Sequence, residues 1–143
     1  MSGWLLDTNV LSVLRRQRQT PSVIDFVAAQ PMHELHVSTL TFAEIRYGIE
    51  LLDDAERRAA FTHWLDHRLR PMFEARILPL CEDTLLQWRL IIESGRKRGH
   101  TFSHPDVLIA ASAARHGLTV VTRDTADFEA AGVAAYNPWR QPA

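Results

Sequence analysis

The chain has 143 residues, 46% of them apolar and 23% charged, and a formal net charge of −1. That length and composition suit one globular domain, 1–143, with a real core, and they argue against a disordered or fibrous chain. No apolar run approaches the roughly 20 residues of a membrane helix, the N-terminus lacks the basic and apolar regions of a signal peptide, and a charge near zero gives no support for binding nucleic acid by bulk attraction, without excluding it.

In chain order, Trp4–Leu6 reads as a first strand, followed by helices at Val10–Arg18 and Ser22–Ala29, with Pro21 marking the break. Leu35–Ser38 reads as a second strand, then helices at Thr41–Leu52 and Ala55–Leu69, the latter ending at Pro71. Ile77–Leu80 is a third strand. Cys81, the one cysteine, cannot form an internal disulfide; it reads as a small core hydrophobe, in keeping with a reducing cytoplasm. Helix Glu82–Arg98 ends at Gly99, and helix Pro105–His116, with Ser103 as candidate N-cap, ends at Gly117. Thr119–Val121, helix Thr125–Ala131 ending at Gly132, and Val133–Tyr136 complete the pattern. The strands lack the alternation of a half-exposed sheet, and strands alternate with helices. Both features predict an α/β fold, a mostly parallel sheet of about five strands covered by helices on both faces.

In such a fold, strand C-termini and helix N-termini share one edge, where ligands bind. Four acids belong there: Asp7 at the end of Trp4-Leu5-Leu6, Glu44 in the first turn after strand two, Asp106 in the first turn of the helix leading to strand four, and Asp124 just past that strand. A carboxylate at the tip of a central strand costs desolvation unless donors or a cation compensate it. Four gathered carboxylates form an all-oxygen ligand set suited to Mg²⁺ or Mn²⁺. Each acid also has a bland reading as a cap or a dipole partner. Thr8, Asn9 and Thr122 are supporting candidates, with capping as the alternative. Asp127 is a candidate fifth acid or simply a first-turn acid.

Other features carry less. His63 and His67 have the spacing of zinc ligands on a helix but lack the adjoining Glu and a third ligand. Arg46 and His104 adjoin the acids and are candidates for substrate contact. Arg15-Arg16-Arg18 and Arg96-Lys97-Arg98 are basic clusters, read as solvated faces unless the substrate is RNA.

Four segments in order carry a resemblance: Leu6-Asp7-Thr8-Asn9-Val10-Leu11-Ser12; Ser38-Thr39-Leu40-Thr41-Phe42-Ala43-Glu44-Ile45-Arg46-Tyr47-Gly48-Ile49; Asp106-Val107-Leu108-Ile109-Ala110-Ala111-Ser112-Ala113; and Thr122-Arg123-Asp124-Thr125-Ala126-Asp127-Phe128 with the terminal Tyr136-Asn137-Pro138-Trp139. They resemble the PIN-domain family, more narrowly the VapC-type toxins of bacterial toxin–antitoxin pairs, over almost the whole chain. The resemblance implies a three-layer PIN-like fold, metal-binding and catalytic roles for Asp7, Glu44, Asp106 and Asp124, and Mg²⁺- or Mn²⁺-dependent endonucleolytic cleavage of RNA. It also implies a homodimer and inhibition by a cognate antitoxin in a hetero-oligomer, while the lack of an apolar run of membrane length argues against membrane association. A structured RNA loop, in tRNA or rRNA, is the substrate class it suggests. His104-Pro105 before Asp106, and Val107 where a small residue is common, depart from the family pattern. Two alternatives stand beside this reading. One is a phosphoaspartate protein, a phosphatase or receiver-like domain, although Asn9 stands where the phosphatase needs Asp and Lys97 is the only lysine. The other is an inactive PIN-like binding module, whose mark would be a missing acid.

Overall fold

The computed structural model describes residues 3–15 and 20–140. Its centre is a five-stranded sheet in the order β3-β2-β1-β4-β5: β1 Trp4–Leu6, β2 Leu35–Ser38, β3 Ile77–Leu78, β4 Thr119–Val121 and β5 Ala135–Tyr136. Every neighbouring pair is parallel, with Leu5 opposite His36 on one side and Val120 on the other. The chain builds outward from β1 through β2 to β3, then returns to β4 and β5. The reversal falls between β1 and β4, the place where open α/β sheets form a crevice beyond the strand ends.

The pleat of β1 divides the interior. Leu6 and Val121 point into one layer with Val10, Val23, Phe42, Leu65 and Phe73. Leu5 and Val120 point into the other with Ile109, Ala110, Ala111 and Phe128. Helices α1 (Thr8–Arg15), α2 (Pro21–Ala29), α3 (Thr39–Glu50), α4 (Ala55–Trp64) and α5 (Arg70–Met72) cover the first face. Helices α6 (Glu82–Lys97), α7 (His104–His116) and α8 (Thr125–Ala130) cover the second. This is the expected three-layer α/β architecture. Gly117, at φ +65°, caps α7 in the left-handed region and turns the chain into β4.

Several boundaries differ from the sequence reading. Ser38, the last residue of β2, caps α3 by accepting from the Leu40 amide at 3.0 Å. The helix therefore starts at Thr39, and Glu44 sits in its second turn rather than its first. β3 and β5 each form a two-residue ladder, shorter than the apolar runs that suggested them. Beyond Trp64 the helix widens into a π-helical stretch, Leu65–Leu69, with both leucines buried. Pro71 does not end the helical path. It sits in the first turn of α5, directly after the π-helical stretch, whose last bond runs from the Arg70 amide to the Leu65 carbonyl. Cys81 is not a core residue: it is half-buried at the N-cap of α6, its sulfur 3.5 Å from the Thr84 hydroxyl. The end of the helix expected at Val10–Arg18, with Arg16 and Arg18, lies outside the described residues. No helix among the described residues is long and apolar enough to cross a membrane.

Candidate metal centre

The central strand delivers Asp7 into the β1/β4 crevice. Its amide donates to the Val121 carbonyl at 3.0 Å, extending the ladder by one step, and its carbonyl accepts from Val10 at 3.0 Å to begin α1. Strand and helix thus pin the backbone on both sides of the carboxylate. Oδ1 accepts from the Thr8 amide at 2.8 Å and Oδ2 accepts from the Thr122 hydroxyl at 2.9 Å. Thr122 is fully buried, and its Oγ1 also accepts from the Asp124 amide at 3.1 Å. One hydroxyl therefore ties the tip of β1 to the turn after β4.

Asp7 is only 8% exposed. Burial pushes its pKa up from 3.8 to about 6; the two hydrogen bonds hold it down, and the charges of Asp106 and Glu44 push it further up. Thr8 also steadies Glu44, its hydroxyl donating to Oε1 at 3.3 Å. Asp106 is raised as well, by burial first, with Asp127 and then Asp124 repelling it and a hydrogen bond from the Ser103 side chain opposing them. Ser103 sits at the N-cap of α7 as expected, yet its side chain makes no capping bond and serves the Asp106 carboxylate instead. Asp124 occupies the N-cap of α8, again without a side-chain capping bond. The bland capping reading therefore does not account for Asp124.

The acids form an electrostatic chain, Glu44 to Asp7 to Asp106 to Asp124 and Asp127. Among the described residues, however, no three Asp, Glu, His or Cys side chains converge closely enough to hold an ion as they stand. The donor set is nonetheless all oxygen, in keeping with Mg²⁺ or Mn²⁺. The neighbouring Asn9 Oδ1 is buried without a hydrogen-bond partner. The raised pKa values of Asp7 and Asp106 and the unpartnered Asn9 acceptor two residues on from Asp7 fit a cation, so the residues suit the group the sequence implied.

The remaining candidates fall away from this chain of acids. Arg46 is exposed and borders a different hollow, with Glu50, Asp66 and Arg70. His104 is exposed at the start of α7. His63 and His67 stack on each other, their ring centroids 4.4 Å apart. Arg96 pairs with Glu93, and Arg98 donates to the Ser94 and Ala130 carbonyls. Beside the acids, a groove of about 250 Å³ runs between α1, α3 and α4, with Thr8 and Glu44 at one end and Ile45, Phe61 and Trp64 along its apolar wall.

A second structure beside the acids was visible in the sequence only as part of a motif. Asn137 Nδ2 donates to the Arg123 carbonyl at 3.3 Å, and Asn137 Oδ1 accepts from the Trp139 amide at 2.8 Å. The Arg123 guanidinium lies 4.4 Å above the Trp139 ring. The available signal was Asn-Pro-Trp, a turn sequence delivering an aromatic ring.

Comparison with known proteins follows the same lines. The PIN domain family profile matches residues 4–133. The chain is 38% identical over 135 residues to the plasmid stability protein StbB of Pseudomonas syringae pv. tomato, covering 94% of this chain and 97% of that protein. It is 35% identical over 135 residues to the VapC ribonuclease Y4jK of Sinorhizobium fredii, covering 94% and 96%. The crystal structure of FitAcB from Neisseria gonorrhoeae superposes with a TM-score of 0.91 at 35% identity, covering 96% of this chain and 99% of that one.

Proposed function

The chain belongs to the PIN-domain family, and from that premise we propose that it is the toxin of a toxin–antitoxin pair, a Mg²⁺- or Mn²⁺-dependent endoribonuclease. The observation that carries this is Asp7, a buried carboxylate at the tip of the central strand with its pKa raised to about 6 by burial and by other acids. Asp7, Glu44, Asp106 and Asp124 would hold the cation, with Asp127 in reach of Asp106. When bound, a divalent cation lowers the pKa of water and offsets the charge of a phosphodiester under attack. The chain's own residues do the positioning. Thr122 and the Thr8 amide fix both oxygens of Asp7, the Thr8 hydroxyl orients Glu44, and Ser103 orients Asp106. Burial of Asp7 keeps water away from its inner side and strengthens its field.

RNA is favoured over DNA on two grounds besides the name of the Sinorhizobium relative. A net charge of −1 gives little grip on long duplex DNA. A small crevice beyond the strand ends suits a splayed single-stranded loop. The partner is proposed as an antitoxin whose apolar segment fills the α1/α3/α4 groove and brings a basic group to Glu44, within a hetero-oligomer built on a homodimer in the cytoplasm. No observation favours the phosphoaspartate reading: Lys97 closes α6 and Asn9 follows Asp7 by two residues.

The test uses purified protein freed of antitoxin and one loop sequence synthesised as RNA and as DNA. With Mn²⁺ the RNA is cut at one or a few positions and EDTA stops the reaction. Cutting that persists in chelator would overturn the metal centre, and equal or faster cutting of the DNA would overturn the substrate.

A further inference from the structure

The proposed centre presents five acids to a substrate that is itself an anion. A cation bound among them offsets part of that repulsion, but the flanking phosphates of the strand still need a positive group at the rim. Many arginines are already committed. Arg70, Arg96 and Arg115 pair with carboxylates, while Arg58, Arg76 and Arg98 bond backbone carbonyls. Arg123 differs in place and in contact. It stands between Thr122, which holds Asp7, and Asp124, and its guanidinium lies over the Trp139 ring, 4.4 Å from the centroid.

We propose that Arg123, held over the Trp139 ring, is the phosphate clamp that seats a single-stranded RNA substrate beside the acids; this rests on the nuclease reading above. Cation–π attraction to the ring uses none of the guanidinium N–H donors, which stay available for a bidentate bond to phosphate. The platform is rigid. Trp139 packs against the core layer of α1 and α2, and Asn137 ties its amide to the Arg123 carbonyl through both ends of one side chain. The β4–β5 ladder runs directly into this turn, with the Thr122 amide donating to the Tyr136 carbonyl at 2.9 Å. The clamp is therefore fixed to the same strand end that fixes Asp7. Preorganisation lowers the ordering cost of holding a long side chain over the strand.

The experiment measures binding, so it does not depend on turnover. Fluorescein-labelled single strands of one mixed sequence, made as RNA and as DNA, are titrated with the full chain carrying Asp7→Asn, in Mg²⁺, over a series of salt concentrations. Adding Arg123→Ala should weaken RNA binding about tenfold at low salt, one charge-assisted contact's worth. The slope of log affinity against log salt should become shallower by about 0.7, the value for one phosphate contact on a single strand. Arg123→Lys should recover part of the affinity and Trp139→Phe most of it. Arg89→Ala is the control, an exposed arginine 5.7 Å from the Trp88 ring on α6, and should change neither quantity. An unchanged slope with Arg123→Ala, or an equal loss with Arg89→Ala, overturns the clamp. The same losses seen on DNA, with RNA bound more weakly than DNA, support the clamp and overturn the RNA reading instead. If Arg123→Ala spares both oligonucleotides and weakens only antitoxin binding, the platform is a protein interface and the proposal fails.

Discussion

Replacing Asp7 by Asn should stabilise the metal-free protein while abolishing cleavage. Burial raises the Asp7 pKa from 3.8 to about 6. At roughly 1.4 kcal/mol per tenfold change in proton affinity, keeping Asp7 ionised in the folded state costs on the order of 3 kcal/mol. With 8% exposure, solvent screening removes little of that. Asparagine carries no charge, so this cost disappears. Its amide nitrogen, however, faces a Thr122 hydroxyl that now donates to Oδ2 and already accepts from the Asp124 amide. Losing that donation costs about 1 kcal/mol. The net gain is about 2 kcal/mol, or about 6 °C in Tm for a chain of this length.

The sign follows from linkage. The folded pKa lies above the unfolded one, so the folded protein binds the proton more tightly. Below about pH 3.8 Asp7 is protonated in both states and imposes no charge penalty. As pH rises from 3.8 to about 6, wild type loses stability, and above about 6 the deficit is constant. Thermal melts by circular dichroism in EDTA should show the Asp7→Asn advantage opening across that window and then levelling off. Saturating Mg²⁺ should raise the Tm of wild type more than that of the variant and close the gap. A variant that melts below wild type at neutral pH in EDTA, or a gap that is flat across the window, would refute the reasoning.

Other outcomes follow from neighbouring contacts. Thr122→Val removes the hydroxyl shared by Asp7 and Asp124 at nearly constant volume; it should cost about 1–2 kcal/mol and push the Asp7 pKa above its wild-type value, read by carboxyl NMR titration. Asp127→Asn should lower the Asp106 pKa more than Asp124→Asn does, because Asp127 is the stronger of the two repulsions on it; the same titration, following Asp106, decides. At Gly95 an added Cβ would lie 2.5 Å from Phe102 Cε2 and 3.0 Å from the His100 carbonyl. The ring can shift but the carbonyl cannot, so Gly95→Ala should cost about 1–3 kcal/mol in urea unfolding, whereas Gly48→Ala, with nothing within 4 Å, should stabilise by about 0.5–1 kcal/mol.

The central strands were legible because burial on both faces leaves a plain mark. Trp4–Leu6, Leu35–Ser38 and Thr119–Val121 form as read. The edge strands were read too long because an apolar run records burial, and only hydrogen-bonded register makes a strand. Glu44 shifted by a turn because Ser38 both ends β2 and caps α3, a double use that periodicity does not reveal. The π-helical stretch Leu65–Leu69 and the passage through Pro71 depend on tertiary burial of Leu65, Leu69 and Phe73. At the acids, residue types and chain order were readable. The long-range contacts were not: Thr122 to Asp7 spans 115 positions and Thr8 to Glu44 spans 36. Arg123 and Trp139 were readable only as members of the closing motif and not as a pair, since neither residue alone carries a chemical signature.

The acids and the groove share one energetic logic. Keeping Asp7 ionised costs folding free energy, and in the proposed function a bound cation would relieve that cost. The same residue, Thr8, touches Asp7 through its amide and Glu44 through its hydroxyl, and Glu44 borders the apolar groove. A partner that buries Ile45, Phe61 and Trp64 and brings a positive group to Glu44 would relieve two costs together, exposed apolar surface and uncompensated charge. Such a partner would compete with the divalent cation without needing to contact Asp7, because both act on one coupled set of carboxylates. Reciprocity then requires that Mg²⁺ weaken the partner's affinity by the same factor by which the partner weakens Mg²⁺ binding. An inhibitor working only by covering the crevice to substrate would instead leave the Mg²⁺ affinity unchanged, so measuring Mg²⁺ binding in the free toxin and in its complex separates the two forms of control.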